Sequence, residues 1–336
     1  MLINQLVIGI LLVNVLGMIF LWKRNQNLLY SMFGFSLLSL LAITVAKDFT
    51  TEWRSYQKQF IRMQIEKTKD PELMAKIRKT PLRIKQIWNK ELDIADRCTT
   101  CHLAIDNTLF KNGPEPFRYH EAAREHDFGK IGCTICHGGQ GRATETHDAH
   151  GRNVVHWDFP MLELNMVELS CPRCHSEIYR PGYRLKGAKY LNMANNLSVN
   201  APNGPRCVGC HPLLGGDRET VPSERWTGVI APDLSIYGKS SDHEFEQAHD
   251  MTNVKGEYSK YGWTKAHFLN PEKIVPGDEK TGKLPTIMPN FKLRDEEAHA
   301  LSLFVMTMKP SDMPAKYWYK EPKKKAENVP ENNDLL

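Results

Sequence analysis

Charge is missing from the start of this chain. No Asp, Glu, Lys or Arg occurs in residues 1–22, and none occurs in residues 25–46. Two apolar helices back to back without a charge do not read as the buried core of a soluble domain. A secretory signal peptide is also a poor fit: there is no positive n-region, the apolar stretch is too long and no small-residue cleavage site follows. Cysteine outside one motif is missing too, since all eight cysteines fall in four Cys-x-x-Cys-His pairs. Basic residues interleaved with aromatics are absent, and the net charge is only +5, so nucleic-acid binding has no support. The segments between the cysteine pairs do not resemble one another, which excludes a solenoid.

What remains at the N-terminus is two apolar runs, Leu2 to Trp22 and Leu28 to Ala46, around a polar Lys23-Arg24-Asn25-Gln26-Asn27 turn. Each has the ~20 residues that cross a bilayer core. The expectation is a transmembrane helical hairpin over 1–46 that contacts membrane lipid, with Lys23 and Arg24 on the cytoplasmic side. Residues 47–96 hold twelve Lys/Arg against eight Asp/Glu, so the positive-inside rule alone does not settle the orientation. Trp22, Trp53 and Tyr56 suit an interfacial aromatic belt.

The four pairs are Cys98–Cys101–His102, Cys133–Cys136–His137, Cys171–Cys174–His175 and Cys207–Cys210–His211, beginning 35, 38 and 36 residues apart. Cys-x-x-Cys-His is the attachment signature of c-type haem: two thiols form thioethers and the adjacent imidazole takes the iron. A zinc ribbon explains cysteine pairs but not a histidine after each, and the spacing is wide for a four-cysteine site. Disulfides within Cys-x-x-Cys are poorly placed and again leave the histidines unexplained. The reading is four covalently attached haem c groups. Because bacterial c-type attachment takes place on the outer side of the cytoplasmic membrane, residues 47–336 are expected on that periplasmic side.

The expected organisation is mainly α. After the anchor comes a stalk and helical linker, 47–96, with a helix over 49–69 whose Trp53, Tyr56, Phe60 and Met63 share a face. That stripe packs either on its own domain or on a partner membrane subunit. Asp70-Pro71 and Thr80-Pro81 break the pattern. A loop-rich three-haem domain follows over 97–200. In it, Gly138-Gly139-Gln140-Gly141 lets backbone approach a haem closely; no strand–loop–helix context supports a phosphate loop there. A monohaem all-α domain covers 201–310 and closes with a helix Asp295 to Lys309, stopped by Pro310. Residues 311–336, with Lys323-Lys324-Lys325, form a polar tail.

Low-spin haem needs a second axial ligand, commonly His or Met. Met288, followed by Pro289 and set just before the last helix, is the candidate for the fourth site. Nine histidines lie outside the motifs, and five of them fall within residues 120–156. His120, His126 and His150 are the choices for the other three sites. His147, His156, Met161 and Met166 are reserves, and His243, His249, His267 and His299 fall in the C-terminal part. Bis-His iron usually lies at lower potential than His/Met iron, so the expected gradient runs from the first three sites to the fourth.

Residues 204–309 resemble class I cytochromes c. The resemblance rests on the single motif at Cys207, the Ala231-Pro232-Asp233-Leu234 segment, Met288-Pro289-Asn290-Phe291 and the acidic start of the last helix. One departure is Arg294 where a Ser-type N-cap is expected; Asp295 could take that role. As a whole the chain resembles membrane-anchored multihaem cytochromes c of bacterial respiratory chains. The resemblance implies electron relay beside a cytochrome b-type or other quinol-oxidising membrane subunit, towards an outer-side acceptor such as a soluble cytochrome. The alternatives are a multihaem reductase, which needs an open iron, and a quinol dehydrogenase, which needs an ionisable quinone site. The spans offer only uncharged groups such as Asn4, Gln5, Asn14, Ser36 and Ser39. A third is a structural anchor for a diffusible cytochrome.

Overall fold

Asn25 opens the longest helix of the chain. Its side chain accepts a hydrogen bond from the Leu28 amide at 3.1 Å, which satisfies one of the free donors of a helix start. The computed structural model describes residues 2–200, 205–213, 230–252, 254, 259–275, 277–278, 282–283 and 286–319. The protein is mainly helical, 54% helix against 3% strand, the class expected from the sequence. Helix α1 is Leu2–Leu21 and α2 is Gln26–Phe49, so the second apolar run extends beyond Leu28 and Ala46 at both ends. Among the described residues one helical stretch, starting at Gln26, is long and apolar enough to cross a membrane. Its Phe35, Leu37, Leu38 and Leu41 are all exposed, so it is not the buried core helix of a soluble domain.

Two compact units make up the fold: Met1–Thr134 with Gly138–Met161, and Ile135–His137 with Leu162–Leu336. In the first, α3 spans Glu52–Lys67, starting later than expected because α2 claims Phe49. Helix α4, Pro71–Arg78, begins with Pro at its first position, where no amide is needed, and the Asp70 carboxylate accepts from the Glu72 and Leu73 amides. A short antiparallel hairpin follows, β1 Ile87–Asn89 and β2 Ile94–Asp96, with Ile87 opposite Asp96. The rest is loop with single helical turns, α5 Phe128–Ile131 and α7 Thr146–His150; a further turn, α6 Thr134–His137, starts in this unit, and its Ile135–His137 belong to the second. The aromatic stripe of α3 packs on its own unit. The Phe60 ring lies 5.0 Å from that of Phe110 and 5.6 Å from that of Phe117, with Ala104 in the same core and Tyr56 and Met63 at its edge.

The second unit carries α8 Lys189–Asn195, α9 Asp242–Ala248, α10 Lys260–Leu269 and α11 Asp295–Met306. Helix α11 packs on both α8 and α10. One core joins Ile178 and Leu191 to Leu301, Phe304 and Met308. The expected boundary between residues 200 and 201 therefore passes through a single core. The reason is size: α8 is two turns long and cannot bury its apolar face without α11. Arg294 is the N-cap of α11, and Asp295 is its first helical residue rather than the cap. The Glu297 carboxylate supplies the capping bond by accepting from the Arg294 amide at 2.9 Å. The helix ends at Met306, short of the expected Lys309, because Pro310 has no amide to give the Met306 carbonyl and the Thr307 carbonyl accepts from the Tyr179 hydroxyl at 2.8 Å.

Residues 311–319 do not form a solvated tail. Met313 is buried, and the Tyr319 amide donates to the Cys174 carbonyl at 2.9 Å. The remainder of the expected tail, 320–336 with Lys323-Lys324-Lys325, lies outside the described residues. Phe304→Ala is expected to cost about 3–5 kcal/mol by cavity formation in the shared core, whereas Leu164→Ala, at an exposed position, should stay within about 0.5 kcal/mol of the wild type. Denaturant unfolding of the detergent-solubilised chain followed by tryptophan fluorescence measures both.

Candidate cofactor-attachment sites

Hairpin β1–β2 delivers Asp96 to the first motif. Its side chain is fully buried and faces two motifs at once. Oδ1 accepts from the Cys98 amide at 3.0 Å; Oδ2 accepts from the amides of Cys133 at 2.7 Å and Thr134 at 2.8 Å. Burial alone would raise the pKa of Asp96, but hydrogen bonds, from Cys98 foremost and then the Thr134 and Cys133 amides, hold it below the ordinary value, so the group is ionised. One oxygen of Asp96 and the sulfurs of Cys98 and Cys133 lie within 4.8 Å of one another. Three ligating atoms that close would suit a metal ion, but both carboxylate oxygens are already held by the two motif loops.

Helix α3 fixes the first motif from below. The Gln57 amide nitrogen donates to the carbonyls of Arg83 at 2.7 Å and Thr100 at 3.1 Å. Glu52 on the same helix accepts from the Thr146 amide at 2.8 Å, its hydroxyl at 2.7 Å and the Tyr56 phenol at 3.0 Å, which anchors α7 and hence His150. Gly139, at φ +83°, sits where a Cβ would meet the Ala149 carbonyl oxygen at 2.7 Å. The glycine run thus permits close approach of backbone to backbone.

A cavity of about 660 Å³ opens beside His102. Its wall includes His126, apolar Ile87, Leu103 and Phe128, basic Lys85 and Arg124, and acidic Asp106, Glu125 and Asp127. Burial lowers the pKa of His102, and His150 and then His120 push in the same direction, which favours the neutral ring that can ligate a metal. His126 and His120 differ in tautomer. Nδ1 of His126 faces the Ala122 carbonyl at 3.3 Å, so in the neutral ring Nδ1 carries the proton and Nε2 has the lone pair. Nδ1 of His120 accepts from the Ala122 amide at 3.2 Å, so in the neutral ring Nε2 holds the proton and the side chain acts as a turn cap. Among the reserves, His147 is exposed and pairs with Asp148 at 3.1 Å, His156 is exposed, and Met161 and Met166 are half-buried.

In the second unit, side chains from around the third motif hold backbone of the second. The Ser170 hydroxyl donates to the Cys136 carbonyl at 2.8 Å, and an Arg173 guanidinium nitrogen donates to the Ile135 carbonyl at 2.9 Å. The same guanidinium grips Asp312 through two bonds, at 2.8 and 2.9 Å, a fork geometry that only arginine offers. His175 packs against Tyr319 with ring centres 4.9 Å apart.

At the fourth motif, Nδ1 of His211 lies 2.7 Å from the Pro232 carbonyl oxygen. As donor there Nδ1 leaves the lone pair of the neutral ring on Nε2. The Ala231–Leu234 segment is tied to the motif by the Ala231 amide on the Cys210 carbonyl and the Leu234 amide on the Pro212 carbonyl, both at 3.0 Å. Cys207, Val208 and Met288 pack on the same core. The sequence reading did not single out His267. Nδ1 of His267 lies 2.5 Å from the Ile274 carbonyl oxygen and the ring stacks on Trp263 at 4.9 Å. Burial lowers its pKa, and His211 is near enough to contribute. The Trp263–His267 i,i+4 spacing was the available signal.

No disulfide joins any two of the eight cysteines. Burial pushes Cys101 up to about 11, Cys171 to about 12 and Cys207 to about 11. The Cys98 thiol is raised by its hydrogen bond with Cys133 and by burial. A thioredoxin-like redox pair needs the opposite shift. Cys98, Cys101, Cys171 and Cys207 are thus held neutral near a motif histidine, a donor set that could hold a haem through thioethers. Comparison of the chain with models of known families, with curated proteins and with solved structures finds no match.

Glu52 supplies a pH-dependent tie. Burial raises its pKa, but the hydrogen bonds from Thr146 and Tyr56 outweigh burial and hold it below the ordinary value. The unfolded chain then binds more protons than the native one in the window between the two values, so stability rises with pH there. The contribution is complete above the ordinary glutamate range, about 4.3, and is lost as pH falls through the lowered native value. Glu52→Gln should be less stable than wild type at neutral pH, with the gap closing in acid; thermal melts across pH 3–7 check this.

Proposed function

We propose that the chain is a membrane-anchored tetrahaem c-type cytochrome of a bacterial respiratory electron-transfer complex. It would relay electrons from a cytochrome b-type or other quinol-oxidising membrane subunit to an outer-side acceptor such as a soluble cytochrome. The carrying observation is the cavity at the first Cys-x-x-Cys-His loop. Its volume of about 660 Å³ falls in the ~300–1,000 Å³ range of cofactor sites. His102 and His126 both stand on its wall, apolar side chains suit a porphyrin face, and Lys85 and Arg124 offer cations for its acid groups on a wall that also carries Asp106, Glu125 and Asp127. One-electron exchange at ligated iron is the chemistry that haem supplies when bound.

The residues have separate tasks in this reading. Cys98, Cys101, Cys133, Cys136, Cys171, Cys174, Cys207 and Cys210 attach; His102, His137, His175 and His211 ligate from one side. His126 serves the first site from the other side, and Met288 serves the fourth, where it shares a core with Cys207. Helices α1 and α2 form the two-span anchor, with Lys23 and Arg24 on the cytoplasmic side and everything after α2 on the periplasmic side. Close packing of Gly17 on Met32 and the exposed apolar side chains of both helices support the anchor.

Intact-mass and pyridine haemochrome analysis of chain expressed with a c-type maturation system should find four covalent haems, and paired Cys→Ala changes in any one motif should remove one. A chain that carries zinc instead would end this reading. Met288→Ala should abolish the methionine-to-ferric charge-transfer absorption and leave the His126→Ala variant, not this one, altered at the first site; low-temperature EPR separates the two. Replacing residues 1–46 by a cleavable secretory signal peptide should move the protein from the membrane fraction to the soluble periplasmic fraction.

A further inference from the structure

Asp96 is the feature that the proposed function leaves unused. A buried ionised carboxylate is costly unless fully hydrogen-bonded, and here three backbone amides compensate it: one from the first motif and two from the second. The surroundings are built to the same end. Gly132, at φ +72°, precedes Cys133, and a Cβ there would press on Ile94 at 3.0 Å and on Asp96 Oδ2 at 3.1 Å. Arg97, next in sequence, donates its amide to the Gly141 carbonyl at 2.8 Å and its guanidinium to the Arg142 carbonyl at 2.7 Å, which ties the first motif to the segment after the second. The sulfurs of Cys98 and Cys133 lie within 4.8 Å of each other.

We propose that Asp96 is a positioning residue that locks the first two attachment loops together, so that their two cofactors share an edge and act as one coupled pair held at low potential by the fixed carboxylate charge. The inference rests on the haem reading and adds to it. Each first cysteine anchors one edge of a porphyrin, so anchors 4.8 Å apart or less bring those edges together. A negative charge without solvent around it stabilises the oxidised, more positive site. Asparagine could not replace it: it offers one acceptor oxygen, not two, and its NH₂ would face an amide donor.

The test is Asp96→Asn in the full-length holoprotein, purified in detergent. Three readouts apply: haem attachment mapped by peptide mass spectrometry, redox titration, and the Soret circular-dichroism couplet of coupled haems. With four haems retained, two of them should shift upward in potential by at least tenfold in reduction equilibrium constant, about 59 mV for a one-electron couple, and the couplet should weaken. Loss of haem confined to the first two motifs also supports the lock. Four haems with unchanged potentials and an unchanged couplet would overturn it. Should the variant not accumulate, the wild type decides: a Soret couplet supports the pair, and four independent haems refute it. A wild-type chain without haem sinks both the cytochrome reading and this inference, whereas four haems without coupling sinks only the inference.

Discussion

Hydrogen bonds between side chains and the backbone of the Cys-x-x-Cys-His loops are what the rest of the structure depends on. The loops have almost no regular structure of their own; Cys98–Thr100 and Cys207–Gly209 are single 3₁₀ turns. A loop of this kind cannot satisfy its own amides and carbonyls, and an unsatisfied buried polar group costs as much as a lost hydrogen bond. Asp96 meets the amides of the first and second loops. Arg173 and Ser170 meet the carbonyls of the second from the third. The fourth is held by the Ala231–Leu234 segment and by the core it shares with α8 and α11.

Helix α3 shows how one element serves packing and site together. Its apolar side, centred on Phe60, anchors the small core of the first unit. Its polar side holds Thr100 through Gln57 and Thr146 through Glu52. A stripe at helical spacing said that something is buried against α3, but not what. The polar residues between the stripe positions, which carry no periodic signal, bind the motif loop and α7.

Histidine roles were only partly legible. Clustering in residues 120–156 was legible, but the ring nitrogens separate His126 from His120, and that distinction comes from which backbone group of Ala122 each ring meets. His267 stands in the sequence only as one of four histidines of the C-terminal part; its stacking on Trp263 and its proximity to His211 emerge only with the chain folded. The boundary expected at residue 200 failed for a related reason. Composition marks where sequence character changes, whereas α8 and α11 share one core because neither can bury its face alone.

The sequence by itself determined the four Cys-x-x-Cys-His motifs, their spacing, the mainly helical class and the apolar start, because each depends on residues close together in the chain. It also carried the Met288 and Ala231–Leu234 pattern. Only the tertiary structure decided which loops are joined and by what. The bond from Asp96 to the Cys133 amide spans 37 residues, and those from Arg173 span 38 to Ile135 and 139 to Asp312. Pairings at that distance follow from the folded path of the backbone, since a carboxylate or guanidinium finds its partners only after the loops around it have been brought together.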